Sequence, residues 1–374
     1  MIILFWVCLG TLWYVYAGYP LLVWLLAQRF GQPIQRRAST PTVSLLLPVY
    51  NEEAHIEEKL RNSLALRYPK GRLDIVVAND GSTDRTAALV KPFCARGVRL
   101  ITYPHVGKSA MISRTVPRLR GEIVVFSDAT IEVEPDALRR LVRNFADPRV
   151  GCVSGSYGLR RAGDLRAQGE GIYWRYESFL KLQESRLHST LGAHGPCYAI
   201  RKELFQRIGK MEINDDYLIP MRILEQGYRV VYDPDVITWE RELVSVEGEF
   251  ARRRRIAVGN CQQTIALRRL LSPRFGLVAL CFFSHKVLRT AAPLVLLMLL
   301  GSSFWLPARL AAVMLILQGL LYTSAFLGYL CQRWGRVVRW LSPPFYFCFG
   351  NLAMLTGLLR YCFSPRRYTW ERAR

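Results

Sequence analysis

Between Thr42 and about Ile237 short apolar runs alternate with amphipathic stretches, and this alternation limits the fold more than any other feature of the chain. Runs at 42–47, 73–78, 98–102, 122–126 and 150–154 read as strands, and the intervals near 53–66, 84–95, 108–118 and 135–146 read as helices. Strands separated by helices form βαβ units, so an α/β domain with a mostly parallel sheet is expected. A long polar helix at roughly 165–189, a strand at 196–200, a helix at 216–226 and a strand at Tyr228–Tyr232 complete it. The run Ile123-Val124-Val125-Phe126 has no polar face, as a buried strand requires, and it stops at Ser127-Asp128-Ala129-Thr130. Asp128 therefore stands at a carboxyl edge, where open α/β sheets bind ligands. An unpaired buried charge is too costly to serve as core, so this carboxylate calls for a metal, an arginine, or a metal carrying phosphates.

The chain is also built for a membrane: 51% of its residues are hydrophobic and its mean hydropathy is +0.11. Residues 1–27 hold no Lys, Arg, Asp or Glu and are long enough to span a bilayer. No basic residue precedes them and no small-residue cleavage site follows, which marks 1–28 as an anchor and not a signal peptide. Arg29, Arg36 and Arg37 place the following residues in the cytoplasm, and Gly18-Tyr19-Pro20 suggests a kink inside the span. Residues 275–363 are expected to form about three apolar helices. The first, 277–306, is interrupted by His285, Lys286 and Arg289, so its first half is expected in the interface and its second half across the bilayer. Arg333, Arg336 and Arg339 before the last apolar segment and the basic tail 364–374 after it compete for the cytoplasm, so charge leaves that topology open.

A formal charge of +22 implies an anionic partner: nucleic acid, a phosphorylated substrate or acidic lipid. No motif that reads DNA or RNA is present, so nucleic acid is not expected as a partner. The nine cysteines lack CxxC or Cys/His ligand spacing; those outside the apolar stretches read as reduced, cytosolic thiols.

Chemistry-bearing residues gather at the predicted strand ends. The first strand ends in Pro48-Val49-Tyr50-Asn51-Glu52 and the second in Asn79-Asp80-Gly81-Ser82-Thr83-Asp84. Asp84 reads as a carboxylate favoured by a helix start. Asp80 and Asp128 would converge on one crevice, a geometry that suits a nucleotide: one acid toward base or ribose, the other toward a metal on the diphosphate. These segments, with Gly107-Lys108 and Ser127-Asp128-Ala129, resemble the successive signatures of family 2 glycosyltransferases. That likeness extends over roughly 40–265, the cytosolic domain, and is strongest for the membrane-bound branch similar to cellulose, chitin and hyaluronan synthases.

The resemblance implies a GT-A fold (Rossmann-like, mostly parallel sheet) flanked by transmembrane helices, and an inverting enzyme that uses a nucleotide sugar, UDP-linked by analogy. It implies that Asp80 contacts the base or ribose in a pocket shaped by Pro48 and Tyr50, with Glu52 beside them, and that Lys108 approaches the diphosphate. Asp128 would be the first acid of an Asp-x-Asp motif for Mg2+ or Mn2+; Thr130 replaces the second acid, leaving the ion one carboxylate fewer. The segment from Gly192 to Arg201 resembles an acceptor-side loop, with His194 and Gly195 as candidate contacts; a backbone-bonded loop histidine is the alternative for His194. Ile213-Asn214-Asp215-Asp216-Tyr217 matches the acid pair whose second member is the catalytic base. An inverting transfer needs a carboxylate to take the acceptor's proton, which falls to Asp216, with Asp215 orienting a partner. Arg252-Arg253-Arg254-Arg255-Ile256 stands where processive members carry Gln-x-x-Arg-Trp. Arg255 matches the arginine that meets the leaving diphosphate, and the other arginines are expected near anionic lipid headgroups. Ile256 removes an aromatic platform for an acceptor sugar.

The expected function is transfer of a sugar to a lipid or saccharide acceptor at the cytoplasmic face of the inner (plasma) membrane by a multi-pass protein. A processive polysaccharide synthase is the alternative. A non-catalytic nucleotide-binding scaffold has no use for the acid pair, and a transporter wants more polar residues at the bilayer midplane.

Overall fold

Computed as a structural model, the chain is described over residues 1–159, 165–209, 212–240, 245–336 and 338–363. The basic tail expected at 364–374 lies outside the described residues. The apolar runs are strands: β1 (Val43–Val49), β2 (Leu73–Asn79), β3 (Val98–Thr102), β4 (Ile123–Ser127), β5 (Ile131–Val133), β6 (Val150–Leu159), β7 (Cys197–Arg201) and β8 (Arg229–Glu240). They form one sheet in the order β3-β2-β1-β4-β7-β6-β8-β5. β1 pairs in parallel with β2 and β4, β2 with β3, and β6 with β8. β7 runs antiparallel to β4 and β6, and β5 antiparallel to β8.

Side chains alternate across each strand. Leu45 and Leu47 of β1 therefore join one core with Val77, Val125, Ile56 and Leu60, while Leu46 joins the other with Val76, Val124 and Met111. The second core also contains Tyr19, Val23 and Ala27 from the first helix and Val278, Cys281 and Phe282 from the later apolar region. Sheet and apolar helices thus share a core. The chain leaving the first helix is bonded as well: Gln32 N donates to Arg186 O (2.7 Å), and the buried Arg229 donates through Nη1 to Gln32 O (3.1 Å).

Among the described residues three helices are long and apolar enough to cross a membrane: Ile2–Phe30, Leu277–Ser303 and Ala308–Arg333. A fourth, Ser342–Phe363, packs against the helix Val246–Ala266, where a Cβ on Gly357 would lie 2.5 Å from Ala257 Cβ and 2.8 Å from Arg254 O. The irregularity expected at Gly18-Tyr19-Pro20 takes the form of a π turn over Tyr14–Gly18, next to a proline that lacks an N–H.

The polar interruption in the first half of 277–306 is packed inside the protein. His285 is buried: Nδ1 lies 2.6 Å from Glu184 Oε1 and Nε2 lies 3.2 Å from Glu177 Oε1. Arg289 Nη1 donates to Glu177 Oε2 (2.8 Å), and Tyr19 Oη donates to Glu184 Oε1 (2.7 Å). His285 and Arg289 meet acids on the helix Leu165–Leu187, which makes their burial tolerable.

Candidate active site

β1 and β2 are in register to their ends, Val49 opposite Asn79, so the loops that follow lie side by side. Asn51, at φ 53°, accepts from Thr83 N through Oδ1 (2.8 Å), while Asn51 N donates to Ser82 Oγ (3.0 Å). Asp84 accepts from Glu53 N (3.1 Å) and Thr86 N (2.9 Å), in keeping with its reading as a helix-start carboxylate.

Asp80 is 1% exposed. It accepts from Val106 N at Oδ1 (2.8 Å) and from Gly107 N at Oδ2 (2.9 Å), and His105, stacked on Tyr50 at 4.4 Å, closes over it. Gly107 has φ 88°, a conformation glycine adopts without strain. Asp80 thereby fixes the turn that launches the helix Lys108–Thr115 and sets the position of Lys108.

Lys108 Nζ donates to Asp128 Oδ1 (3.2 Å) and lies 3.4 Å from Asp215 Oδ1. Burial works against its charge, but Asp128, Asp215 and Asp216 together raise its pKa above the ordinary lysine value. Asp215 and Asp216 open the helix Asp215–Glu225, and the residue before them ties that start to the helix Val246–Ala266. Asn214 Nδ2 donates to Ile256 O (3.1 Å), and Gln263 Nε2 donates to Asn214 O (2.8 Å). The Asp216 carboxyl is pushed up to about 6, by burial first and then by the charge of Asp215. Gly195 leaves the space it occupies, since a Cβ there would lie 2.5 Å from Asp216 Oδ2.

His194 is buried; its backbone N donates to Ser154 Oγ (2.8 Å), its ring lies 5.1 Å from that of Trp174, and burial pushes its pKa down to about 3, so it is neutral. In the arginine run, Arg252 and Arg253 each donate through Nε to Glu249 (2.7 and 2.6 Å). Those two side chains are engaged within their own helix, which corrects the placement of the whole surplus at lipid headgroups. Arg255 faces Asp216, Asp215 and Asp128, and among the described residues its Nε has no hydrogen-bond partner.

All twelve residues singled out from the sequence line a single cavity of about 470 Å³: Pro48, Tyr50, Glu52, Asp80, Lys108, Asp128, Thr130, His194, Gly195, Asp215, Asp216 and Arg255. Sequence reasoning missed the rest of its wall, notably Trp174, Lys181, Tyr217, Lys286 and Arg289. The signal for the last two was the charged interruption of an apolar segment, a usual mark of function. It also missed Lys59, 2% exposed, whose Nζ donates to Ser127 Oγ (2.7 Å) and Ile131 O (2.6 Å) and so holds the turn that presents Asp128.

Among the described residues no three His, Cys, Asp or Glu side chains converge as a protein-only metal cage. Asp128 nevertheless fits a divalent ion, because Mg2+ and similar hard cations are commonly held by one or two carboxylates together with substrate phosphates. The cavity can therefore hold an activated phosphate ester against Lys108, Asp128 and Arg255 and present a second substrate to Asp216.

Residues 44–209 match the model of Glycosyl transferase family 2. A probable glycosyltransferase of Bacillus subtilis is 27% identical over 243 residues, 59% of this chain and 55% of that protein. A poly-beta-1,6-N-acetyl-D-glucosamine synthase of Staphylococcus aureus is 26% identical over 251 residues, 64% of this chain and 60% of that protein. The chain thus spans less than two thirds of either relative. Among solved structures, a mannosyltransferase of Pyrobaculum calidifontis, in complex with GDP-Man and Mn2+, superposes with a TM-score of 0.73 at 25% identity, covering 96% of this chain and 99% of that one. The architecture is GT-A-like: a mostly parallel sheet with helices, joined to candidate membrane spans.

Proposed function

We infer that this chain, a glycosyltransferase carrying a family 2 domain over residues 44–209, moves a sugar from a nucleotide-sugar donor to a hydroxyl of a lipid or saccharide acceptor, with inversion at the anomeric carbon. The reaction belongs to glycolipid or cell-surface polysaccharide synthesis at the cytoplasmic face of the inner membrane. The observation that carries this is the placement of Asp216. A carboxyl titrating at about 6 shares one cavity with Lys108, Asp128 and Arg255. A base near neutrality beside a cation-lined phosphate site is what a displacement at a sugar phosphate requires.

Pro48, Tyr50 and Glu52 line the nucleotide side, and Asp80 holds the loop that shapes it. Asp216 takes the acceptor's proton while the acceptor oxygen bonds to the anomeric carbon and the bond from that carbon to the diphosphate breaks. Lys108 and Arg255 meet the charge that develops on the departing diphosphate. A divalent ion, Mg2+ or Mn2+, held by Asp128 with Thr130 beside it, supplies further charge neutralisation there when bound. Asp215 keeps Lys108 in place. Ile256, where processive members carry a tryptophan, favours a single transfer over polymer extension.

The test is incubation of the purified full-length chain with labelled UDP- and GDP-sugars and membrane lipid, followed by product sizing. A discrete organic-soluble product, lost in Asp216→Asn, is expected. A high-mass ladder transfers the assignment to a processive synthase, and no consumption of any nucleotide sugar refutes it.

A further inference from the structure

We propose that the membrane-side half of the cavity is a phosphate subsite, so that the acceptor is a phosphate-bearing lipid with a free hydroxyl. This rests on the glycosyl-transfer reading and extends it to the class of acceptor. The cavity does not stop at the sheet edge: Lys286, Arg289 and Thr290, from the candidate span Leu277–Ser303, line it with Lys181. Lys286 Nζ sits 4.9 Å above the Tyr217 ring and makes no ion pair among the described residues. Tyr217 follows Asp216 directly, so this ammonium stands one residue from the proposed base. Lys181 Nζ donates to the carbonyl of Gly192 (3.1 Å), a residue packed so closely on Tyr217 that a Cβ there would lie 2.4 Å from its ring.

The acids of this wall are already matched. Glu177 is bound by Arg289 and His285, and Glu184 by His285 and Tyr19. Glu177 and Glu184 still attract Lys286 and Lys181, but among the described residues neither lysine makes an ion pair, and the two stand as the cations of this part of the cavity. A neutral saccharide has no need of two ammonium groups, whereas a phosphate does, and a charge inside a spanning segment is expensive unless it meets a counter-ion. Farther along the same helix Leu294, Leu297 and Met298 are exposed, an apolar track for the tail of the lipid. In the transfer the acceptor hydroxyl gives its proton to Asp216, its oxygen bonds the anomeric carbon, and the nucleoside diphosphate leaves with the electron pair of the broken bond. The acceptor's own phosphate stays at Lys286 and changes no bond.

The full-length chain is placed in phosphatidylcholine nanodiscs doped with phosphatidic acid or with diacylglycerol, and the lipid retained is read by native mass spectrometry. The wild type is expected to retain phosphatidic acid and not diacylglycerol. Lys286→Met should lower that retention about tenfold, the effect of one charge-assisted contact. Lys286→Arg should keep it, as should Arg309→Met on another helix. Lys181→Met, on the helix Leu165–Leu187, should show the same loss and replaces Lys286→Met where that variant is poorly folded. Undiminished retention by both methionine variants, or equal retention of diacylglycerol, overturns the subsite. Displacement by an equal concentration of inorganic phosphate moves it to a soluble phosphorylated acceptor and overturns the lipid assignment. Nucleotide-sugar hydrolysis by the wild type is scored in the same nanodiscs. Its absence refutes the glycosyl-transfer reading, while its presence with phosphatidic acid ignored refutes the subsite alone.

Discussion

Replacing Asp216 with asparagine removes one carboxylate and almost no volume, so its effects isolate the charge. Burial and Asp215 lift this carboxyl from 3.8 to about 6 in the folded chain. At about 1.4 kcal/mol per pH unit, the ionised group costs the fold on the order of 3 kcal/mol. The sign follows from proton binding: between pH 3.8 and about 6 the folded state holds the proton that the unfolded state has released, so stability falls as pH rises through that window. Asp216→Asn should therefore melt above the wild type at pH 8, and the difference should vanish as pH drops toward 4. Transfer should fall by about 10²- to 10⁴-fold, the usual contribution of a general base. The wild-type rate should decline about tenfold per pH unit below about 6, as the base becomes protonated. Melting curves over pH 4 to 8, read beside initial transfer rates, check both limbs. A variant that melts lower than the wild type at every pH, or transfers at the normal rate, refutes the reasoning.

Gly195→Ala places a Cβ 2.5 Å from Asp216 Oδ2, and because that carboxylate can turn away, stability should drop by less than about 1 kcal/mol while transfer falls at least about tenfold; melting and turnover measured together show the split. Gly357→Ala meets Ala257 Cβ and the Arg254 carbonyl, neither of which can swing aside, so overpacking should cost about 1–3 kcal/mol and lower the melting temperature in detergent. His285→Ala leaves Glu184 and Glu177 short of a partner in a buried site and should cost about 3 kcal/mol, read from the same melts. Chelation with EDTA should lower transfer and added Mn2+ or Mg2+ restore it; a rate indifferent to chelation leaves the diphosphate to Lys108 and Arg255 alone.

The βαβ half was legible because its central strands carry apolar runs at 45–47, 75–78 and 123–126, and the last two lead into Asp80 and Asp128. β5 escaped because Ile131–Val133 is too short to show a period. The reversed direction of β7 escaped because local sequence does not encode which way a strand runs. Lys286 was visible as an interruption, yet its setting depends on Glu177 and Glu184, more than a hundred residues earlier and opposite it only in the fold. The arginine run was more readable than it looked: Glu249 stands three and four residues before Arg252 and Arg253, the spacing at which helix neighbours pair.

Tyr19, Val23 and Ala27 are as much a part of the sheet's core as Val76 or Phe126. Cutting the first helix away would not free a soluble catalyst. It would strip one wall from the molecule, uncover a greasy trench and leave Glu184 without the Tyr19 hydroxyl. Nor does the catalytic half hang from a leash. The shared core fixes the cleft relative to the first helix, so on the proposed reading its distance from a bilayer is set by the fold and not by a linker.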